Sequence, residues 1–65
     1  MSYICYVETE TSPVPHLQAL SADGLEAARE EAMRVARLHS RPKALHLYLG
    51  DERLESIQLE GLLAP

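Results

Sequence analysis

Alanine recurs at four-residue intervals in the middle of the chain, at Ala28, Ala32 and Ala36. At about 100° per residue, these alanines fall on one side of a helix, together with Leu25 and Val35. A helix face made mostly of alanine can lie close to a flat surface, and a β-sheet offers such a surface. The pattern therefore predicts a helix that packs closely on a sheet.

Capping residues predict where this helix begins and ends. Asp23 is a good N-cap, and Glu26 three residues later can complete a capping box. Arg41 and Pro42 stop the helix, because proline disfavours the helical conformation in the residue before it. We expect the helix within residues 23–39.

Two short strands are predicted before the helix. Residues 2–8 are rich in Tyr, Ile and Val, and residues 16–21 alternate enough for a second strand, with Pro13 and Pro15 in the loop between them. Alternate residues of the first strand point to opposite faces of the sheet. One set ends on the charged Glu8, so the other set, Tyr3, Cys5 and Val7, is expected to face inward.

A β-hairpin is predicted after the helix, over residues 43–59. Leucines alternate along its first half, and Gly50 and Asp51 supply turn chemistry. A three-residue loop sets Leu45 opposite Ile57. Leu54 is then out of phase, which indicates either a bulge or an outward pairing with Tyr48. Gly61 breaks the strand, and the last four residues form a short apolar tail.

The order β-β-α-β-β predicts one small α+β domain over residues 1–65, with a four-stranded antiparallel sheet and one helix on a single face. The other face is open to solvent or to a partner. If the strand phases hold, this open face displays Tyr6, His16, Gln18, His46 and Tyr48.

Size and cysteine content restrict the function. A chain of 65 residues buries only about 60% of its unfolded surface, which leaves little room for an internal active site. Cys5 is the only cysteine, whereas small secreted domains usually need disulfides. No segment approaches the roughly 20 apolar residues that span a bilayer. We expect a soluble protein of the cytoplasm, or of the host cytoplasm if a phage encodes it.

Acidic residues are the candidate partner-binding residues of this chain, whose net charge is −4. Acids near the start of a helix and cations near its end stabilise it, which explains part of the pattern. The remaining acids predict a surface that repels nucleic acid and attracts a basic protein. The candidates lie on the helix and around the hairpin: Glu26, Glu30, Glu31, Asp51, Glu52 and Glu55.

Neither a metal site nor a catalytic site is predicted. His16, His39 and His46 lack both the helical spacing and the cysteine partners that metal ligands show, although His39 projects from the core side of the helix. Cys5 is expected to be a small buried apolar residue. With no nucleophile, base and orienting group recognisable, we expect no cofactor and no enzymatic activity.

The predicted open face allows an alternative. Tyr6, His46 and Tyr48 could stack the bases of single-stranded nucleic acid, as in sheet-based RNA-binding proteins. Such proteins usually add basic residues to the platform, and this chain adds few. An aromatic patch for a protein partner or a second copy fits the charge better.

The helix and the hairpin that follows it resemble small phage-encoded anti-CRISPR proteins that inhibit type I systems. The likeness is an alanine-rich helix, opened by an Asp-Gly pair and placed between two β-pairs. It is carried by Asp23, Gly24, Ala27, Ala28, Ala32, Met33 and Ala36.

This resemblance implies a non-enzymatic inhibitor that binds a Cas subunit and blocks its recognition of target DNA or of the PAM. Such proteins often use acidic surface to occupy a site meant for DNA. The expected partner is thus a basic nucleic-acid-binding protein, with no direct contact to nucleic acid or membrane and with the chain a monomer rather than a dimer. Two alternatives stay open: a small antitoxin-like or regulatory domain with a cognate protein partner, and a nucleic-acid-binding module that uses the open face.

Overall fold

The computed structural model describes residues 2–59, which form one four-stranded antiparallel sheet and one helix. In chain order the elements are β1 (Tyr3–Thr9), β2 (His16–Ala19), α1 (Leu25–Arg37), β3 (Pro42–Leu49) and β4 (Glu52–Gln58). The spatial order of the strands is β2-β1-β3-β4. The predicted α+β fold with the order β-β-α-β-β is confirmed. The predicted strand break at Gly61 and the apolar tail lie outside the described residues.

Helix α1 packs on one face of the sheet through its alanines. Ala28, Ala32 and Ala36 are each 0% exposed and share one core cluster with residues of β1 and β3. An alanine side chain adds little thickness, so the helix backbone approaches the sheet closely. The sheet side of this cluster comprises four strand side chains that point towards α1 and two leucines that directly follow β2 and β4: Cys5, Val7, Leu45, Leu47, Leu20 and Leu59.

The predicted inward face of β1 is confirmed. Cys5 and Val7 are fully buried, and Tyr3 packs against the same core. Ile4 and Tyr6 alternate with them and therefore point to the opposite face of the sheet.

The predicted phase of β2 is wrong. Gln18 lies opposite Cys5 and His16 lies opposite Val7, so both point to the helix side, and Leu17 is on the open face. The physical reason is Leu20, which is buried in the core just after the strand and donates its backbone N–H to the Tyr3 carbonyl at 2.9 Å. Burying Leu20 turns every even-numbered residue of β2 to the helix side.

The predicted start of the helix is also corrected. Gly24 is the N-cap residue, and no side chain donates or accepts a capping hydrogen bond there. The Gly24 carbonyl instead accepts the first helical bond from the Ala28 N–H at 2.9 Å. Because the helix begins one residue later than predicted, Asp23 lies outside the cap position, and Glu26 is not the third residue after the cap.

The β3–β4 hairpin has the predicted register, with Leu45 opposite Ile57. Its loop contains two residues rather than three, and Gly50 has φ 63, a value that glycine adopts at little cost. The register shifts between Leu47 and Tyr48, which leaves Leu54 as the extra residue of a bulge. Of the two predicted roles for Leu54, the bulge is therefore confirmed.

Two backbone contacts define which loops share an end of the sheet. The Leu20 N–H contacts β1 at Tyr3, and the Gly50 N–H donates to the Ser2 carbonyl at 3.2 Å. The start of α1 and the β3–β4 turn thus lie at the same end. At the opposite end, the Glu10 N–H donates to the Arg41 carbonyl at 3.1 Å.

In the part of the chain that the structure describes, no helix has the length and apolar character needed to cross a membrane.

Candidate binding surface

Four exposed carboxylates lie at the end of the molecule that holds the β3–β4 turn. Two belong to the start of the helix and two to the hairpin, and we call this group the acidic end: Asp23, Glu26, Asp51 and Glu52. Within residues 2–59, none of these four forms an ion pair. Sequence reasoning assigned Asp23 to the helix cap and so missed it as a member of this group.

Glu30 lies one turn further along α1 and has a different environment. It lines a shallow groove on the helix surface with Met33 and three arginines, Arg29, Arg34 and Arg37. The arginine charges offset that of Glu30, so this part of the helix is not acidic as a whole. Glu30 is exposed, but the structure does not join it to the acidic end as a continuous patch.

Glu31 is bound within the protein itself. Its carboxylate accepts hydrogen bonds from the backbone N–H groups of Ser21, at 3.1 Å, and Ala22, at 3.0 Å. The Ser21 hydroxyl adds contacts at 3.2 and 3.3 Å. The Ser21 N–H, followed by the other donors, lowers the pKa of the Glu31 carboxyl by stabilising its charged form. Glu31 therefore fixes the β2–α1 connection.

Glu55 is also engaged within the protein. The Arg29 Nε donates to the Glu55 Oε1 at 2.9 Å, which links α1 to β4. Glu55 lies opposite Leu47 in the hairpin and so points to the helix side of the sheet. The predicted register already implied this orientation. Of the six predicted acids, three lie at the acidic end, one lies beside arginines, and two bind other residues of the chain.

The open face of the sheet carries an apolar and aromatic surface. Tyr6 and Tyr48 are in contact, with ring centroids 5.0 Å apart and ring planes inclined by 55°. Leu17 is 61% exposed on the same face, next to Tyr6 on β2. Arg53, opposite Tyr48, is the basic residue that the described hairpin places on this face.

The histidines occupy two separate places. His16 of β2 and His39, just after α1, stack with ring centroids 4.4 Å apart and ring planes inclined by 23°. His46 lies on the open face. Among residues 2–59, no three side chains of the metal-binding types converge on one point.

Cys5 is shielded from solvent beneath the helix. Its side chain is 0% exposed, and burial raises the pKa of its thiol to about 11, with the Glu31 charge acting in the same direction. A thiol with so little thiolate at neutral pH is a poor nucleophile.

A hydroxyl, an imidazole and a carboxylate are adjacent on the open face. The Ser56 Oγ lies 2.8 Å from the His46 Nδ1, and the His46 Nε2 lies 3.5 Å from the Glu8 Oε2. The three residues come from β4, β3 and β1, so their separation in sequence hid the contact. The signal that could have revealed it is the register itself, since the pairing that sets Leu45 opposite Ile57 also sets His46 opposite Ser56.

Comparisons of the chain with protein-family profiles, with curated proteins and with solved structures find no match.

Proposed function

We propose that this protein is a non-enzymatic inhibitor that binds a basic, nucleic-acid-binding protein through its acidic end. The observation that carries the proposal is that two acidic groups from separate parts of the sequence lie at the same end of the molecule. Asp23 and Glu26 come from the start of α1, and Asp51 and Glu52 come from the hairpin.

The charge arrangement supports a protein partner rather than nucleic acid. Exposed carboxylates repel phosphates and attract clustered Lys and Arg, and they act chiefly by raising the association rate. Arg34 and Arg37 belong to the last turn of α1, at the far end of the helix, whereas Arg29 lies one turn after Glu26 and pairs with Glu55. The molecule thus presents an acidic end to one partner rather than an acidic surface all round.

The most specific form of this proposal is an anti-CRISPR protein that covers the DNA-recognition site of a type I Cas subunit. It is supported by the resemblance of the helix and hairpin and by the local acidic end, whose size suits one basic site rather than a long DNA groove. The alternative partner is the cognate protein of an antitoxin-like or regulatory domain. Both forms use the same surface and differ in the protein that it meets.

Competition with DNA tests the inhibitor. A purified type I Cas surveillance complex is incubated with labelled target duplex, with and without this protein, and the bound DNA is measured. We expect the protein to lower DNA binding when added before the duplex, and to do so less as salt rises, because exposed charges are screened. Unchanged DNA binding at low salt, across complexes of the type I subtypes, contradicts the anti-CRISPR form.

A further inference from the structure

Three polar side chains of the open face form a row across β4, β3 and β1. The Ser56 Oγ is within hydrogen-bond distance of the His46 Nδ1, at 2.8 Å. On the other side of the ring, the His46 Nε2 faces the Glu8 carboxylate at 3.5 Å. Neither the acidic end nor the packing of the core uses these groups.

The sheet register explains why the hydroxyl and the imidazole meet. The Leu59 N–H donates to the Lys43 carbonyl at 2.9 Å, which makes Ala44 and Gln58 a pair without hydrogen bonds between them. Such pairs alternate with hydrogen-bonded pairs, so His46 and Ser56 are again a pair of the first kind. Side chains are closest in these pairs, and the contact is therefore built into the hairpin.

The carboxylate selects the tautomer of the ring. A carboxylate only accepts hydrogen bonds, so Glu8 favours the tautomer in which Nε2 carries the hydrogen. In that tautomer the lone pair of Nδ1 faces Ser56 and can accept its hydroxyl hydrogen. A hydroxyl, a base and a group that orients the base are the parts of an activated nucleophile.

We propose that Ser56 accepts an acyl group from activated esters or thioesters, with His46 as its general base and Glu8 as the residue that positions His46. The Ser56 Oγ attacks the acyl carbonyl carbon while its proton passes to the His46 Nδ1. The bond from that carbon to the leaving oxygen or sulfur then breaks, and the leaving group takes the proton from Nδ1. The products are an ester at Ser56 and a free alcohol or thiol, with no net oxidation.

The surroundings favour an ester or thioester that carries an apolar or aromatic group. Tyr6 lies directly opposite His46, and Tyr48 is two residues further along β3 in contact with Tyr6. A flat apolar group lying on these rings brings its carbonyl over the row. Because Ser56 belongs to a pair without backbone hydrogen bonds, its N–H points away from β3 and can donate to the developing oxyanion. The row lies on a flat surface, so we expect one stoichiometric transfer rather than turnover.

p-Nitrophenyl acetate is a suitable probe, followed by release of nitrophenolate and by the mass of the intact chain and its peptides. We expect one acetyl group, located on Ser56, and its loss in Ser56→Ala but not in Ser40→Ala, a matched change at an exposed serine outside the row. His46→Gln should lower the acetylation rate by about 100-fold, which is the lower end of the rate enhancement that a general base usually gives. Glu8→Gln should lower it by about fivefold, as expected for an exposed pair.

A merely structural role for the row gives other results. If the row is only structural, the variants should melt at a different temperature while the acetylation rate does not depend on His46. Alternatively, the acetyl group would appear only on the Lys43 amine. Either result in a folded variant overturns the proposal. A rescue of His46→Ala by added imidazole, without a change in melting temperature, supports the base role. The acidic end is separate, so Asp51→Asn with Glu52→Gln should keep the acetylation whether or not that end binds a partner.

Discussion

The Glu31 carboxylate accepts hydrogen bonds from the Ser21 N–H through both of its oxygens, at 3.1 Å each. The two residues are ten positions apart, so a side chain from the middle of α1 holds the segment that leads into the helix. The same segment places Leu20 in the core and thereby sets the phase of β2. One carboxylate thus supports both the connection and the orientation of the edge strand next to β1.

Glu31→Gln should lower the melting temperature. The amide keeps one oxygen but loses the charge, so it cannot accept from the Ser21 and Ala22 N–H groups as strongly. The matched control is Glu30→Gln, which neutralises the preceding residue of the same helix and leaves the hydrogen bonds to Ser21 and Ala22 intact. Equal melting temperatures for the two variants at neutral pH would contradict the structural role of Glu31.

The same contact predicts a pH dependence. The folded protein lowers the pKa of Glu31, so the stabilisation is present above the ordinary carboxyl pKa of 4.5 and is lost as the pH falls below it. The difference in melting temperature between wild type and Glu31→Gln should therefore shrink from about pH 7 to about pH 2. A difference that stays constant across this range would show that charge plays no part.

The close approach of α1 to the sheet predicts a strong size limit at Ala32. Ala32→Leu forces three additional carbons into a fully packed contact, and it should cost about 1–3 kcal/mol of unfolding free energy. Ala27→Leu is the control, because Ala27 is exposed on the same helix and the change there should stay within about 0.5 kcal/mol. Denaturant unfolding measures both. Equal small effects would mean that the helix lies further from the sheet.

The start of the helix gives a paired prediction. Asp23→Ala should change the unfolding free energy by less than about 0.5 kcal/mol, because Asp23 makes no capping hydrogen bond. Gly24→Ser should stabilise the protein by a few tenths of a kcal/mol, on the order of the usual gain of Ser over Gly at this position. The Gly24 backbone is extended, at φ −145, and no atom lies within 4 Å of an added Cβ. A loss above about 1 kcal/mol for Asp23→Ala would move the cap back to Asp23.

Cys5 should be inert in the folded protein. Its thiol is buried beneath α1 and its pKa is raised to about 11, so a disulfide reagent should modify it at the rate at which the protein opens. Labelling is followed by absorbance with and without denaturant. Fast modification under native conditions, at the rate of the unfolded chain, would be incompatible with this burial.

Sequence periodicity was sufficient to predict an element and its buried face where apolar residues repeat along one face only. The alanine stripe predicted the helix face. An assumed three-residue loop predicted the register that sets Leu45 opposite Ile57, and the two-residue loop together with the bulge at Leu54 gives the same register. Periodicity did not predict which residues of β2 face the helix, because this four-residue strand shows only weak alternation of polar and apolar residues. There the phase depends on Leu20, which lies just outside the strand and is buried by a tertiary contact.

The candidate site was predicted less fully than the fold. Charge in the sequence located the acids, but it could not tell which of them the fold would use internally. Glu31 binds a loop ten residues away, and Glu55 on β4 binds Arg29 on α1, both through contacts that the local sequence pattern does not encode. The spacing of Asp23 and Glu26 predicts a capping box, but the structure uses Gly24, the residue after Asp23, as the N-cap.

The most direct test of the acidic end compares two variants that change the net charge equally at opposite ends of the molecule. Glu26→Gln with Glu52→Gln removes one acid from the helix and one from the hairpin. Glu10→Lys makes the same change in net charge at the far end, where Glu10 contacts Arg41. The measurement is the dissociation constant for a purified, DNA-free type I Cas surveillance complex at 50 and 500 mM salt, about a threefold change in screening length.

We predict that the double variant binds about tenfold more weakly than wild type at low salt and that the gap narrows at high salt, because exposed charges act through steering. Glu10→Lys should bind nearly as well as wild type. If both variants weakened binding equally, net charge alone would explain the effect. If the folded double variant bound as well as wild type, the acidic end would not be the binding site.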